Sequence, residues 1–453
     1  MSDWSWITLS GTRGLFDRIG LIILIIYIPR MQTVTLLAFL VFLFTYALIS
    51  VRRVRSVSIE RPAAALFGAL LMVLLGVVTA DQVVEAIDLD IIGLLLGMMI
   101  IVSCLEITGL FDRVASTMVD RCGDRFTLLW VSMGITALLS ALILNDTVVL
   151  MFSPIIVKVC RSIDADPIPY LVGEALAANI GSVATGVGNP QNAYILIQSG
   201  IPFTEFAVAL TPLAVMSLLV AVAIVALVFR KDLFDEGLRP HPIDRSLLAA
   251  ASPKVRFEIP FFLVLGVLIA VFIGFLASSW LGMPVSLIAF LGGCFLLLAL
   301  PLVKKDTGTG PILRGVDWTL ILFFVGLFIL LKGVETSGLM ALMLGSFEDM
   351  GAGVAGVAGL TVVSSVLSNL ISNVPAVMLL SPMIPVGDDT LWLSLATSST
   401  LAGNATILGA AANVIVVEKG LSMGAEVRFL DFLKAGLPVT LVTLLISVLL
   451  LGL

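Results

Sequence analysis

The sequence predicts an all-α polytopic membrane protein made of two inverted-topology repeats, each with a re-entrant helical hairpin and a broken transmembrane helix. Three observations support this fold class: the composition, a repeated polar interruption and the alternation of loop charges. Hydrophobic residues make up 59% of the 453-residue chain and charged residues 12%, against about 25% charged residues in an ordinary soluble domain. Apolar runs long enough to span a bilayer recur along the chain, at 33–51, 63–80, 91–107, 126–144, 170–198, 203–229, 257–278, 283–302, 316–334, 353–371, 390–417 and 432–453.

A polar interruption of these apolar runs occurs twice. The segment from Asn145 to Pro154 reappears as Asn373 to Pro382, and Asn, Ser and Pro match at a constant offset of 228 in residue number. Polar side chains and Pro are costly at membrane depth unless they line a cavity, and a matched pair of such breaks points to the binding site of a transporter. We interpret each copy as a re-entrant hairpin whose tip carries the Asn.

Two further matches extend the repeat. Residues 88–110 align with 317–339 at an offset of 229, and Ala184–Asn192 aligns with Ala405–Asn413 at an offset of 221. The second pair lies in Gly-rich sequence, and Gly permits non-helical backbone while Pro190 lacks a backbone donor. Each half is therefore predicted to contain a broken helix after its hairpin.

The charges of the connecting loops alternate in opposite phase in the two halves. Arginines cluster in 52–61 and in 113–125, whereas the matching second-half loops, 278–284 and 338–352, contain no Lys or Arg. Under the positive-inside rule the two halves must be inserted upside down relative to each other. The basic loop 230–256, which links them, is then cytoplasmic.

These observations predict four parts of the chain. Residues 1–32 form an N-terminal segment with an interfacial helix, because the apolar stretch 19–28 is short for a span. The first repeat covers 33–229, the cytoplasmic linker 230–256, and the second, inverted repeat 257–453. No cleavable signal is evident. We expect a multi-pass protein of the cell (inner or plasma) membrane.

The interruptions supply the chemistry of an ion-binding site. Unwound backbone frees carbonyl oxygens that bind a hard cation such as Na⁺, while half-helix N-termini direct N–H groups and a positive dipole end at an anion. The predicted substrate- and ion-binding residues all lie there: Asn145, Asp146, Thr147, Ser182, Thr185, Gly188, Asn189, Asn192, Ser372, Asn373, Thr406, Gly409 and Asn413. A Na⁺ site is expected at four of them: Asn145, Asp146, Gly188 and Asn373.

Asp146 makes the two hairpin tips chemically unequal, because the second half has Val374 at that position. A carboxylate within a span costs roughly 2.5–3.5 kcal/mol on insertion scales. We therefore expect Asp146 to bind the coupling cation or to carry a proton, with capping of the following half-helix as the structural alternative. Glu174 is the second candidate ionisable site, and Lys332 is expected to form an ion pair or to snorkel.

Other kinds of site find little support. The four cysteines, Cys104, Cys122, Cys160 and Cys294, show no spacing typical of a metal site or a disulfide framework. Packing roles are predicted for them, with soft metalloid binding as the alternative. The sole histidine, His241, lies in the polar linker, which excludes a His-based metal or proton site. The sequence contains neither a nucleotide-binding loop nor an intramembrane catalytic set, so we expect no enzyme and no cofactor beyond Na⁺ or H⁺ as coupling ion.

At these motifs the chain resembles the ion transporter superfamily that includes ArsB-type arsenite-efflux pumps, NhaD-type Na⁺/H⁺ antiporters and dicarboxylate/citrate symporters. It is most similar to the anion permeases with a citrate-transporter-like domain. The resemblance covers nearly the whole chain from about residue 35 and is carried by Asn145-Asp146-Thr147, Gly188-Asn189-Pro190-Gln191-Asn192 and Ser372-Asn373-Val374-Pro375. It implies a scaffold domain and a mobile transport domain in each protomer, two hairpins meeting at a central site, a homodimer, and alternating access by an elevator-like movement.

The hairpin tips depart from the Ser-Asn-Thr signature of the dicarboxylate symporters and look more like the arsenite and Na⁺/H⁺ branches. We expect a secondary active transporter that moves a small inorganic or organic anion, coupled to a Na⁺ or H⁺ gradient. Arsenite efflux or Na⁺/H⁺ antiport is the alternative within the class, and a passive ion channel is the alternative outside it. The expected partners are this anion, membrane lipid and a second copy of the chain, with no nucleic acid.

Opposite insertion of the repeats predicts opposite labelling of two matched loops. Single cysteines placed in residues 111–125 should react with a membrane-impermeant maleimide only from the inside, because that loop carries the positive charge. Cysteines placed in 338–352 should react only from the outside. Labelling of both loops from the same side of sealed vesicles would contradict the inversion.

Overall fold

The computed structural model describes residues 33–50, 53–54, 57–58, 60–235, 239–243, 258–340, 353–385 and 387–452. The interfacial helix predicted in 1–32, most of the linker and most of loop 338–352 lie outside the described residues. Within the described part the chain is helical, apart from loops, isolated bridges and a pair of two-residue antiparallel strands, Arg53–Val54 (β1) and Val57–Ser58 (β2).

The helices of each half are given in chain order. The first half contains α1 Thr33–Ser50, α2 Arg61–Leu74, α3 Ala80–Ala86, α4 Leu89–Ile107, α5 Leu110–Arg121, α6 Arg125–Leu142, α7 Asn145–Ser162, α8 Ile168–Ser182, α9 Pro190–Ser199, α10 Phe203–Val228 and α11 Arg230–Leu233. The second half contains α12 Ile259–Leu276, α13 Ser278–Leu281, α14 Val285–Val303, α15 Thr309–Arg314, α16 Trp318–Thr336, α17 Val354–Ile371, α18 Asn373–Leu380, α19 Asp389–Ala402, α20 Ala411–Ser422 and α21 Phe429–Gly452. Among the described residues, nine helices are long and apolar enough to cross a membrane.

The helix bounds repeat with the offsets found in the sequence. The first and last residue numbers of α16 equal those of α4 plus the offset of 229, and the same holds for α17 and α6. The first residues of α19 and α20 follow those of α8 and α9 at the offset of 221. The predicted fold class is therefore confirmed, since both halves contain the same order of helices, including a hairpin and a broken helix.

The breaks lie where the sequence predicts them. In the first half, α8 ends at Ser182 and α9 begins at Pro190, so the run 170–198 is two half-helices joined by a turn. In the second half, the 3₁₀ turns Gly403–Ala405 and Ile407–Gly409 separate α19 from α20. The hairpin tips are the short turns from α6 to α7 and from α17 to α18.

One predicted span is shorter than expected. The helix in the run 63–80 ends at Leu74, because Gly76 adopts a φ of +70° and leaves the helical conformation. A new helix, α3, then begins after Thr79, whose hydroxyl accepts a hydrogen bond from the Gln82 backbone N–H at 3.4 Å.

The chain divides into two compact units. The first comprises residues 1–87 and 325–346, and the second comprises 88–324 and 347–453. Both units draw on both halves of the sequence. Division at the repeat boundaries, with the linker between them, stays a prediction.

Two matched glycines allow close helix packing, one in each unit. A Cβ at Gly97 of α4 would lie 2.4 Å from the backbone of Ala289 on α14 in the second unit. A Cβ at Gly326 of α16 would lie 2.8 Å from the backbone of Ala65 on α2 in the first unit. Gly326 follows Gly97 by the repeat offset of 229, so each half packs a long helix against a helix of the other half. Small residues at such crossings let backbones approach, as is typical of membrane bundles.

The Gly97 contact predicts a strong effect of a single methyl group. Gly97→Ala should lower the thermal stability of the purified protein, by about 1–3 kcal/mol, because the new Cβ meets backbone that cannot rotate away. Gly134→Ala on α6 is the matched control, since a Cβ there meets nothing within 4 Å and Ala favours helix by up to about 1 kcal/mol. Equal melting temperatures for Gly97→Ala and Gly134→Ala in detergent would contradict this packing.

Candidate functional site

The first hairpin tip is attached to the break of its own repeat. Helix α7 begins at Asn145, whose backbone N–H donates to Gly188 O at 3.0 Å. The Asn145 side-chain oxygen accepts from the backbone N–H of Asp146 at 3.0 Å. The carbonyl of Gly188 is available because the helix is broken there, so the break supplies the acceptor that holds the tip.

The second hairpin tip contains a strained turn. Ser372 adopts a φ of +84°, a region that residues other than Gly rarely occupy and that concentrates at functional sites. The next residue, Asn373, starts α18 and is 7% exposed. In the amide orientation that satisfies both of its polar atoms, Asn373 donates to Gly409 O at 3.2 Å and Ser399 O at 3.1 Å, and it accepts from Gln191 Nε2 at 3.3 Å.

Each break is closed by an Asn near the start of the following half-helix. Asn192 Nδ2 donates to Ser182 O and to Thr185 O, both at 3.1 Å. Asn413 Nδ2 makes the equivalent pair of bonds at 2.8 and 2.9 Å, to the carbonyls that match in the repeat, Gly403 O and Thr406 O. Buried carbonyls without a helical donor are costly in a membrane, so these amides stabilise both breaks.

Asn179 joins the two breaks to the first hairpin tip. Its Oδ1 accepts from Asn145 Nδ2 at 3.2 Å. Its Nδ2 donates to Asn404 Oδ1 and to Asn413 Oδ1, both at 2.9 Å. All four side chains are buried. We call Asn145, Asn179, Asn404 and Asn413 the amide cluster; it connects elements from both halves of the sequence within the second unit.

A second group of buried polar side chains lies across the two breaks. Asn189 Nδ2 donates to Ser182 Oγ at 2.8 Å, and its Oδ1 caps α9 by accepting from Asn192 N at 2.8 Å. Gln191 Nε2 donates to Thr400 Oγ1 on α19 at 3.1 Å. The first residues of α9 are therefore bonded to the last turn of α19.

Five residues of the predicted site belong to these two groups: Asn145, Ser182, Asn189, Asn192 and Asn413. Five more bond to a member of the groups or to Asn373: Thr185, Gly188, Asn373, Thr406 and Gly409. Ser372 precedes Asn373 in the second tip. The side chains of Asp146 and Thr147 are the exception: they are half-buried and line an adjacent cleft. Glu106 and Asp317 also line that cleft. The cleft is therefore acidic, and Asp146 lies between it and the Asn145 tip.

Asn179 and Asn404 are not among the site residues that the sequence predicts. Asn179 matches Thr400 at the repeat offset and Asn404 matches Val183, so neither Asn has an Asn partner in the other half. Identity of polar residues between the repeats therefore does not single them out. The available signal is that both are amides within otherwise apolar or Gly-rich broken helices.

The cluster offers both donors and acceptors, and no side-chain cation. Asn404 Nδ2 and Asn192 Oδ1 are buried and have no protein partner among the described residues. No Lys, Arg or His side chain of the described segments hydrogen-bonds to these amides. Four helix N-termini begin at the tips and breaks, those of α7, α9, α18 and α20. Their dipoles provide partial positive charge, which favours an anion.

The remaining candidates lie elsewhere. All four cysteines are free thiols, and three of them are buried. In the described part of the chain, no group of three or more His, Cys, Asp or Glu side chains is placed to hold a metal ion. His241 lies in the linker, where its carbonyl accepts from Arg125 N at 2.9 Å. Lys332 pairs with Glu335 at 3.1 Å, which confirms its expected ion pair.

The citrate transporter family, CitMHS, matches residues 22–386 of the chain. Three relatives align over most of their own length. A 46 kDa membrane protein of Mycobacterium leprae is 32% identical, covering 91% of this chain and 97% of the relative. The silicon efflux transporter LSI3 of Oryza sativa subsp. japonica is 28% identical, with 87% and 93% covered. The putative transporter arsB of Dictyostelium discoideum is 25% identical, with 86% and 87% covered.

A solved structure supports the fold independently. The YdaH transporter of Alcanivorax borkumensis, described as having an unusual topology, superposes with a TM-score of 0.54 over 93% of this chain and 98% of that one. The two sequences are 16% identical, so the likeness concerns the fold alone.

Proposed function

The chain belongs to the citrate transporter family and is a multi-pass membrane transporter, and from this premise we propose that it is a secondary active transporter of a small anion, coupled to a Na⁺ or H⁺ gradient. We place it in the cell membrane. The observation that carries the proposal is that the first hairpin tip and both helix breaks are joined by the buried amide cluster. The second hairpin tip, at Asn373, bonds to the same two broken helices through Gly409 O and Gln191 Nε2. Inverted-repeat transporters bind their substrate at such discontinuous helices.

The electrostatics of this site support an anion as substrate. Four helix N-termini contribute partial positive charge, and Asn404 Nδ2, which is buried without a protein partner among the described residues, contributes an N–H donor. Donors from amides and helix ends bind an anion without a fixed cation, which permits its release later in the transport cycle.

The coupling ion is assigned to the first hairpin tip. Asp146 is the acidic residue nearest in sequence to the Asn145 tip, and the cleft it lines also contains Glu106 and Asp317. Negative charge at the mouth of a cleft concentrates cations. Asn145, Asp146, Gly188 and Asn373 offer oxygen ligands of the kind Na⁺ prefers, and a protonated Asp146 is the equivalent state for H⁺ coupling.

A second candidate substrate is an uncharged metalloid hydroxide, as in silicon or arsenite efflux. It is favoured by the absence of Lys, Arg and His from the hydrogen bonds of the amide cluster in the described segments. A neutral hydroxide needs donors and acceptors together, and an amide supplies both. The names of two relatives, a silicon efflux transporter and a putative arsB transporter, point the same way.

The transport cycle is proposed to use an elevator-like movement within a homodimer, as the family resemblance implies. The amide cluster supports the elevator-like movement, because it joins one hairpin tip and both breaks into one body that is able to move as a unit. No cofactor other than the coupling ion is proposed.

The substrate class is tested by the thermal stability of the purified protein. Phosphate, sulfate, citrate, arsenite and silicic acid are added singly, with Na⁺ or at varied pH. A ligand at 100 times its Kd stabilises by about 2.7 kcal/mol. We expect one class, anion or neutral hydroxide, to raise the melting temperature. No response to any of the five would contradict the proposal.

Coupling through Asp146 predicts a specific loss. Asp146→Asn should abolish gradient-driven uptake into proteoliposomes of the solute that stabilises the protein, while that solute still raises the melting temperature of the variant. The control is Glu205→Gln, an exposed carboxyl in the first turn of α10, which should transport like the wild type. Uptake by Asp146→Asn with unchanged ion dependence would show that coupling lies elsewhere.

A further inference from the structure

The two hairpins contain matched serines, Ser153 and Ser381, each followed by Pro and separated by the repeat offset of 228. Both serines are buried. Each contacts an oxygen on the broken helix of the first repeat. Ser153 Oγ lies 2.9 Å from Glu174 Oε2 on α8, and Ser381 Oγ lies 2.8 Å from the Tyr194 hydroxyl on α9.

The hydrogen bonds of Ser153 indicate the protonation state of the Glu174 carboxyl. Ser153 Oγ also lies 2.7 Å from Val149 O, one turn earlier on α7. A serine hydroxyl has one proton and a carbonyl only accepts. Each contact is a separate two-centre hydrogen bond when Ser153 donates to Val149 O and the Glu174 carboxyl donates its own proton to Ser153 Oγ; a carboxylate would have to share the single serine proton with Val149 O.

The second hairpin has the same pattern with a phenol in place of the carboxyl. Ser381 Oγ donates to Met378 O at 3.2 Å, so the Tyr194 hydroxyl is the donor to Ser381. A phenol keeps its proton at neutral pH. Each hairpin serine thus receives an O–H from the broken helix, and only the donor at Ser153 is a carboxylic acid.

The surroundings of Glu174 provide nothing to stabilise a carboxylate. The side chain is 0% exposed, and Oε1 has no partner among the described residues. On the packed helices α6, α10, α19 and α21, titratable residues occur only in the first two turns. Tyr170, one turn earlier on α8, donates its hydroxyl to Arg125 O. An unpaired buried charge costs several kcal/mol, so the neutral acid is the stable form.

Two neighbours remain, α7 and α20. Asp146, in the first turn of α7 and about two turns before Ser153, is half-buried and lines the acidic cleft. Lys158 and Arg161 of α7 and Glu418 of α20 are exposed, and Lys419 of α20 is half-buried near its end. The buried titratable group close enough to interact with Glu174, within the described residues, is the Cys160 thiol on α7. It follows Ser153 by about two helical turns along the same face.

We propose that Glu174 is a proton-binding site that couples protonation to the position of the first hairpin. In the conformation described, its proton bridges α8 to α7 through Ser153. When α7 separates from α8 around Ser153, beyond the tip that the amide cluster holds, water reaches the carboxyl and accepts that proton. Ser153, which donated to Val149 O, then donates to the carboxylate if the helices close again without reprotonation. This deepens the proposed function and rests on it, since it names H⁺ as a coupling ion.

The protonation state is tested by infrared difference spectroscopy of the purified protein at neutral pH. We expect a carbonyl stretching band of a protonated carboxylic acid in the wild type that is missing in Glu174→Gln. The Gln side chain preserves a donor to Ser153 and therefore the fold. Tyr194→Phe, the matched control in the other hairpin, should keep the band. Absence of the carbonyl stretching band from the wild type would overturn the assignment of a proton to Glu174.

Coupling to movement is tested by the reactivity of Cys160 in a variant whose other cysteines, Cys104, Cys122 and Cys294, are Ala. The rate of labelling by a small uncharged thiol reagent is measured as a function of pH, in this variant and in the same variant with Glu174→Gln. The ratio of the two rates is taken at each pH, which cancels the ionisation of the thiol itself. We expect this ratio to rise with pH, by at most about tenfold per unit. Identical pH profiles would overturn the proposal. Neither experiment uses a transported solute. A negative result would therefore overturn the proposal about Glu174 without bearing on the proposed transport function, which the uptake assays test.

Discussion

The structure depends on satisfying backbone groups where two membrane helices are broken. A helix break at membrane depth leaves carbonyls and N–H groups that water cannot satisfy. Here Asn192 and Asn413 bond the freed carbonyls of the two breaks. Asn179 then joins the breaks, with both amide hydrogens and its oxygen in use. An unsatisfied buried group costs about 1–3 kcal/mol, so each break stabilises the other.

The two repeats agree in backbone and differ in charge. Helix bounds and the Asn residues that close the breaks follow the repeat offsets closely. The ionisable side chains do not: Asp146 matches Val374, and Glu174 matches Leu395. Duplication therefore provided a symmetric frame in which the first repeat alone carries the carboxyl groups at the hairpin.

The sequence predicted the repeat and the position of each break, because polar and Gly residues inside apolar runs are conspicuous. It predicted Asn192 and Asn413 as binding residues, whereas their amides close the breaks. It did not predict the roles of Asn179 and Asn404. These two residues bond across the two halves, and neither matches an Asn at the repeat offset. The sequence also placed Asp146 among the amides, whereas the side chain lines the acidic cleft beside them. Hydropathy reports which segments enter the membrane, but pairing between polar side chains depends on how helices pack.

The most direct test of this account replaces the amide of Asn179 by a carboxyl of the same size. A carboxyl buried at this position is stable as the neutral acid, which has a single O–H. Asn179→Asp therefore keeps the acceptor for Asn145 and loses one of the two donors, so the oxygen of Asn404 or of Asn413 loses its partner. We predict a loss of about 1–3 kcal/mol in thermal unfolding, from one unsatisfied buried group. Gln82→Glu, at a solvent-exposed hydrogen bond, should change stability by less than about 0.5 kcal/mol. Equal melting temperatures for Asn179→Asp and the wild type would contradict the central role of this residue.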